Sequence, residues 1–145
     1  SLSSNMETQN LQRTDFDFWT TIQTRWRDMD ALGHLNHTAY LTHMETARVD
    51  LFIQLGYSGI KKEMDESAIL GAMDVQYWAQ VTHPAQLEIG HRIIRIGSKS
   101  YDLLGIAFLG DNVVCSVIFK MVSFNYKMNK AIPVPDKIRE NCRPL

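Results

Sequence analysis

The sequence predicts an α+β domain in which a five-stranded antiparallel sheet wraps round one long central helix. Apolar residues recur at spacings of three and four over "TAYLTHMETARVDLFIQLG", the period of an amphipathic helix. One extended run precedes this stretch and four follow it. The separators of the later runs, "THP", "SK" and "DN", are turn chemistry, and short turns between consecutive strands favour antiparallel neighbours.

The opening "SLSSNMETQN" is polar; Ser1 to Asn5 read as a cloning remnant ahead of a start at Met6, and residues 1–15 as a flexible lead-in to a single domain spanning 1–145. From Phe16 to Asp28, "FDFWTTIQTRWRD" sets Phe16, Phe18, Thr20, Ile22, Thr24 and Trp26 on one parity, which predicts a half-buried strand. In the helical stretch Tyr40, Leu41, Met44, Ala47, Leu51, Phe52 and Leu55 form the apolar stripe. Thr42, Glu45 and Asp50 fall off it, and Gly56 ends it. "YSGIKKEMDES" has the charge and turn residues of a connection. The runs "AILGAMDVQYWAQV", "AQLEIGHRIIRIG", "SYDLLGIAFLG" and "NVVCSVIFKMVSFNYK" are the four later strands, and a parity slip between Ile93 and Ile94 fits a β-bulge or a strand covered on both faces. "AIPVPDKIRE" places two prolines before a short helical signal.

A chain of 145 residues, 45% of them hydrophobic, can bury one real core. The formal charge of -1, from 15 basic and 16 acidic side chains, gives no broad electropositive field for a phosphate backbone, so no nucleic-acid partner is expected. Cys115 and Cys142 show neither metal-ligand nor disulfide spacing, which fits a reducing cytoplasm. No apolar run approaches the roughly 20 residues of a membrane span. One helix of about 18 residues covers roughly 27 Å and cannot shield every apolar side chain of such a sheet. Edge strands stay open as well, so pairing edge to edge predicts a homodimer or a homotetramer.

The stretch "RWRDMDALGHLNH" gathers chemistry at the entry to the helix. Asp28 and Asp30 share parity with Trp26, so a strand running to its end would point both carboxylates to one side. The helix begins near His37 or Thr38, and its first N–H groups have no intrahelical partners and carry the positive end of the dipole. A loop returning Asp30 over that end pairs an anionic oxygen with preorganised donors. The carboxylate can attack a thioester carbonyl or activate a water, while the donors hold the oxyanion. Gly33 permits the tight path between them. By spacing alone the same residues also make an ordinary turn capped by Asn36 or Thr38, with the aspartates merely solvating the loop.

"DMDALGHLNHTAYLTHMETAR" resembles, in order and spacing, the Asp-x-Asp-x-x-Gly-x-x signature and following helix of the 4-hydroxybenzoyl-CoA thioesterase family of hotdog-fold proteins. Gly33, Asn36, His37, Tyr40 and the "ETAR" of Glu45 to Arg48 sit where acyl-CoA thioesterases of that family carry similar residues. "HPAQLEIG", "IRIGSKSYDL" and "AIPVPDKIRE" extend the resemblance over nearly the whole chain from Phe16. The resemblance implies a hotdog fold, a homo-oligomer with active sites at subunit boundaries, and hydrolysis of an acyl-CoA or acyl-carrier-protein thioester without metal or prosthetic group, coenzyme A being part of the substrate. It makes Asp30 the catalytic nucleophile or general base. His37 then stands at the oxyanion-stabilising helix entry beside Thr38, and some members carry there a histidine whose side chain assists. Gly33, Asn36, Tyr40 and Glu45 are supporting positions. Asn36 departs from the aromatic residue of several thioesterases and resembles the "HVNN" version of long-chain acyl-CoA members. Another hotdog branch places its catalytic glutamate on the central helix, where Glu45 lies, but the presence of Asp30 favours the loop carboxylate.

Two other classes remain open on sequence: a non-catalytic acyl-thioester binding protein that keeps the pocket but not turnover, and an enoyl-thioester hydratase or dehydratase using Asp30 and His37 to move a proton. His34, His37 and His43 read as turn and surface histidines rather than metal ligands, with His43 on the polar side of the helix. Asp28 is expected to bond the turn backbone or pair with Arg25 or Arg27, Glu45 to pair with Arg48, and Tyr40 to pack under the loop. Tyr77 and Trp78 are candidates for a dimer contact or a pocket wall. Met44, Met64, Met73, Met121 and Met128 suit either an adaptable acyl pocket or the core.

Overall fold

Helix α1 (His37–Gln54) starts where the chain can cap it: Asn36 holds extended φ/ψ and its side chain accepts the Thr38 amide. It runs 18 residues and stops at Gly56, whose φ of +103° continues no right-handed turn. The computed structural model describes residues 7–57 and 65–145; most of the connection read in "YSGIKKEMDES", residues 58–64, lies outside them.

The strands are β1 (Phe18–Gln23), β2 (Ser67–Tyr77), β3 (Gln86–Ile96), β4 (Ser100–Leu109) and β5 (Asn112–Asn125), in spatial order β1-β3-β4-β5-β2 and all antiparallel. A two-residue β6 (Lys130–Ala131) adds to β5, and α2 (Asp136–Arg139) follows the prolines. This is the hotdog arrangement, a curled sheet round one long helix. Consecutive strands pair from β3 to β5, where the turns are short. β2 instead crosses to the far edge, because the chain after Tyr77 does not turn back but runs on through residues 78–85. The parity slip at Ile93–Ile94 is a bulge, with Arg95 rather than Ile94 opposite Asp102.

The concave face of the sheet and the inner side of α1 share one core. Met44, Ala47, Leu51 and Phe52 of the helix meet Leu87, Ile89, Leu103, Val117 and Phe119 of the sheet. Apart from Ala47, each of these side chains contributes about 1.5–3 kcal/mol by its burial. Polar residues enter that core too. His91 is buried against Phe119, and the Arg48 guanidinium lies over the same ring at 4.7 Å, so the expected Glu45–Arg48 ion pair is replaced by a cation–π contact inward. The electron-rich ring face partly offsets the desolvation of the cation.

The convex face carries a second apolar layer, Phe16, Ile94, Leu104, Ile106, Phe108 and Ile118. Of the lead-in expected to be flexible, residues 7–15 form two 3-10 turns against this face. Thr8 is buried with its hydroxyl 2.6 Å from that of Ser116, and Arg13 lies over the rings of Trp19 and Phe108 while pairing with Glu88. The guanidinium of Arg92 donates to the carbonyls of Asp15, Arg143 and Pro144. No helix among the described residues is long and apolar enough to cross a membrane.

Candidate active site

The first strand is shorter than its alternating pattern predicts. It ends at Gln23, and Trp26–Asp28 form a 3-10 turn, because the Asp28 carboxylate accepts the Arg25 amide (2.8 Å) and side chain (3.0 Å) and closes a capping box. The two aspartates therefore do not share a side: Asp28 is buried and Asp30 is exposed. Burial raises the Asp28 carboxyl, but the Arg25 side chain and amide, together with His43, outweigh it and hold it below the ordinary carboxylate range. His43 is likewise buried, at 5% exposure, with Nε2 3.0 Å from Asp28 Oδ2, which corrects its expected place on the polar side of the helix. An inward carboxylate one loop away attracts the imidazole where an apolar residue would otherwise sit.

The loop from Asp28 to Asn36 is tied at its base and folded on itself. The Asn36 amide donates to the Asp28 carbonyl (2.8 Å), the Asp30 amide to the His34 carbonyl (2.8 Å) and the Leu35 amide to the Val81 carbonyl (2.6 Å). Gly33 turns it with φ of +78°. Asp30 Oδ1 accepts the amides of Leu32 (2.9 Å) and His34 (3.1 Å). Those amides, His34 foremost, hold its carboxyl below the usual range and keep it ionised at neutral pH. Oδ2 accepts no hydrogen bond among the described residues.

Asp30 and His37 line one open hollow of about 200 Å³ at the N-terminus of α1, walled by His34, Tyr40, Tyr77 and Gln80. Of the two helix amides expected as donors, that of Thr38 is already taken by Asn36 Oδ1 at 3.0 Å, which leaves the His37 amide without a partner among the described residues. Tyr40, expected to pack under the loop, instead forms wall of the hollow against the segment after β2: it is buried, donates to the Ala79 carbonyl at 3.1 Å, and burial pushes its phenol up to about 12. Tyr77 stacks edge-on to both Tyr40 and His37 and donates to the His37 carbonyl at 3.2 Å, fulfilling the pocket-wall reading. Trp78 instead donates to Ser116 at 2.9 Å. Glu45 is exposed on α1 and lines no part of the hollow.

Sequence reasoning missed His34, Leu35, Ala79 and Gln80 as walls; the last two follow β2 and reach the site by tertiary docking that no local period encodes. None of the methionines lines the hollow among the described residues: Met44 and Met121 are core, Met73 and Met128 are exposed, and Met64 lies outside the described residues. No three His, Cys, Asp or Glu side chains among the described residues converge as metal ligands would.

The profile of the Thioesterase-like superfamily matches residues 24–142, from the end of β1 to beyond α2. The chain belongs to this superfamily. Solved structures similar to this superfamily member include a thioesterase of Thermus thermophilus in complex with coenzyme A and Zn, 23% identical over 88% of this chain and 98% of its own, with a TM-score of 0.75. The PA2801 protein of Pseudomonas aeruginosa is 30% identical over 85% and 95% of the two chains, with a TM-score of 0.76. The PA5185 protein of Pseudomonas aeruginosa strain PAO1 is 23% identical over 90% and 92%, with a TM-score of 0.79. No curated protein matches the chain.

Proposed function

We propose that this member of the thioesterase-like superfamily hydrolyses an acyl-CoA thioester to free acid and thiol, as the 4-hydroxybenzoyl-CoA type of hotdog enzyme does. The observation that carries the reading is that Asp30 and the entry of α1 at His37 line one hollow. A thioester carbonyl seated there meets an ionised carboxylate and a helix-end donor from the same loop. Asp30 attacks the carbonyl or activates the water, and the His37 amide, at the positive end of the dipole, receives the oxyanion. Asp30 Oδ1 is pinned by two amides, so the carboxylate is oriented before substrate arrives, with Oδ2 left to act. Tyr40, Tyr77 and Ala79 supply apolar wall for the acyl group. The two thiols, Cys115 and Cys142, suit a reducing cytoplasm. Thiol release from a panel of short, long and aromatic acyl-CoAs and acyl-carrier proteins tests the reading. Asp30→Asn and Asp30→Ala are expected to lower kcat by about a hundredfold or more, and undiminished turnover in either would remove Asp30 from the reaction.

The hydrolase is also proposed to act as a homo-oligomer joined along β2. This edge strand is 11 residues long, and Leu70 and Met73, at 37% and 45% exposure, lie opposite the core residues Met121 and Phe119 on the helix side of the sheet, while Tyr77, opposite Cys115 and 46% exposed, packs against the entry of α1. A second copy pairing there would cover the apolar row and satisfy the open edge, next to the Tyr77 wall of the hollow. Sedimentation should give a dimer or tetramer at micromolar concentration and a smaller species for Leu70→Lys with Met73→Lys; a monomeric wild type would rule the interface out.

A further inference from the structure

Behind the Asp30 loop lies a buried polar contact to which the proposed chemistry gives no part. His43 is on the second turn of α1 and Asp28 at the root of the loop, each at 5% exposure, joined by the 3.0 Å contact of Nε2 with Oδ2. Arg25 already supplies the Asp28 carboxylate with a guanidinium at 3.0 Å and an amide at 2.8 Å. Beyond these, what the imidazole adds is a directed N–H from a rigid helix. An apolar side chain at this inward position would pack with no desolvation cost, so a ring nitrogen there has to be compensated by what it holds.

What it holds is the loop's point of departure. Asp28 is bound to α1 twice: by its side chain to His43, and by its carbonyl to the amide of Asn36, the residue that caps the helix. Asp30 follows two residues on, in a loop whose other end is that same cap. We propose that His43 is a positioning residue for the thioesterase reaction. By holding Asp28 it fixes the root of the 28–36 loop against the N-terminus of α1 and so sets the Asp30 carboxylate relative to the His37 amide. The proposal rests on the hydrolase reading above for its kinetic consequence, though not for its structural one. It assigns His43 no contact with substrate. A displacement of about 1 Å at the reacting carboxylate is enough to cost a hundredfold in rate.

The test compares wild type, His43→Leu, His43→Gln and Asp28→Asn in thiol release from the best acyl-CoA of the panel, with the folded fraction measured by circular dichroism at the assay temperature and hydrogen exchange followed across residues 30–35. His43→Leu keeps the volume and removes the donor. It is expected to lower kcat by about tenfold to a hundredfold with KM within about threefold, and to speed exchange in the loop. His43→Gln, whose carboxamide nitrogen can take the place of Nε2, is expected to restore both, and Asp28→Asn to behave like His43→Leu because it weakens the same contact from the other side. A fully folded His43→Leu with wild-type kcat and loop exchange would overturn the proposal. So would a loss of rate that follows only the folded fraction, or a folded His43→Gln that restores neither readout. Should His43→Leu not fold, the Gln and Asp28→Asn arms decide by the same readouts. Wild-type protein releasing thiol from no thioester would refute the hydrolase reading, while loop exchange that quickens in His43→Leu and returns in His43→Gln would still uphold the bracing contact.

Discussion

Acid should weaken this protein through one buried imidazole. His91 stands on the concave face of β3 between the sheet and α1, and its ring is tilted over Phe119 at 6.4 Å. Desolvation, reinforced by the Arg48 cation and opposed by Asp50, pulls its pKa down from 6.5 to about 3. In the folded chain His91 thus stays neutral throughout the mildly acidic range, whereas in the unfolded chain it takes up a proton as pH falls through 6.5. The unfolded state then binds the extra proton, so the stability this residue contributes is complete above 6.5 and is lost progressively as pH drops toward 3. At about pH 5 the loss approaches roughly 2 kcal/mol, which for a chain of this length lowers Tm by about 4–8 °C. Thermal unfolding followed by circular dichroism from about pH 7.5 to pH 5, with wild type and His91→Leu side by side, isolates this contribution, because the two proteins differ only at residue 91. The Leu variant should show a flatter fall in Tm with acid, whatever its absolute stability. Curves that drop in parallel would refute the argument that burial keeps His91 neutral.

The helix entry yields two further expectations. Asn36→Ala removes the acceptor of the Thr38 amide and should cost about 1 kcal/mol, or about 2–4 °C in Tm, while Asn36→Asp or Asn36→Ser should hold the wild-type melting temperature; equal melting of the Ala variant would show that the cap contributes nothing. At Gly33 a Cβ would meet no atom within 4 Å, but φ is +78°, so Gly33→Ala should destabilise by about 1 kcal/mol from backbone strain alone, visible as a lower urea midpoint with an unchanged m-value.

What the sequence makes legible is what depends on neighbours in the chain. The limits of α1 follow from Asn36 before it and Gly56 after it, and the Tyr40–Met44–Ala47–Leu51 stripe is the face that turns inward. The bulge at Ile93–Ile94 shows as a slip in parity because a strand has period two. Asp30 and His37 could be paired across seven residues because loop and helix entry are contiguous, and both line the hollow. What escapes depends on partners far away or on competition between local patterns. The alternation from Phe16 to Trp26 conceals the 3-10 turn at Trp26–Asp28, although Asp28, three residues after Arg25, carries the spacing of a capping box that pulls the chain out of the strand. His43 reads as surface because its helical position is off the apolar stripe, and only Asp28, placed beside it by the loop, explains its burial. The placement of β2 at the far edge rests on its register with β5, roughly fifty residues on, and so do Ala79 and Gln80 reaching the site.

The guanidinium of Arg92 gathers carbonyls from both the lead-in and the tail at one point on the convex face. A clasp of this kind makes two remote stretches of polypeptide dependent on each other. Peeling either one away strips acceptors from the cation that secures the other, so the outer apolar layer is unwrapped as a unit or not at all.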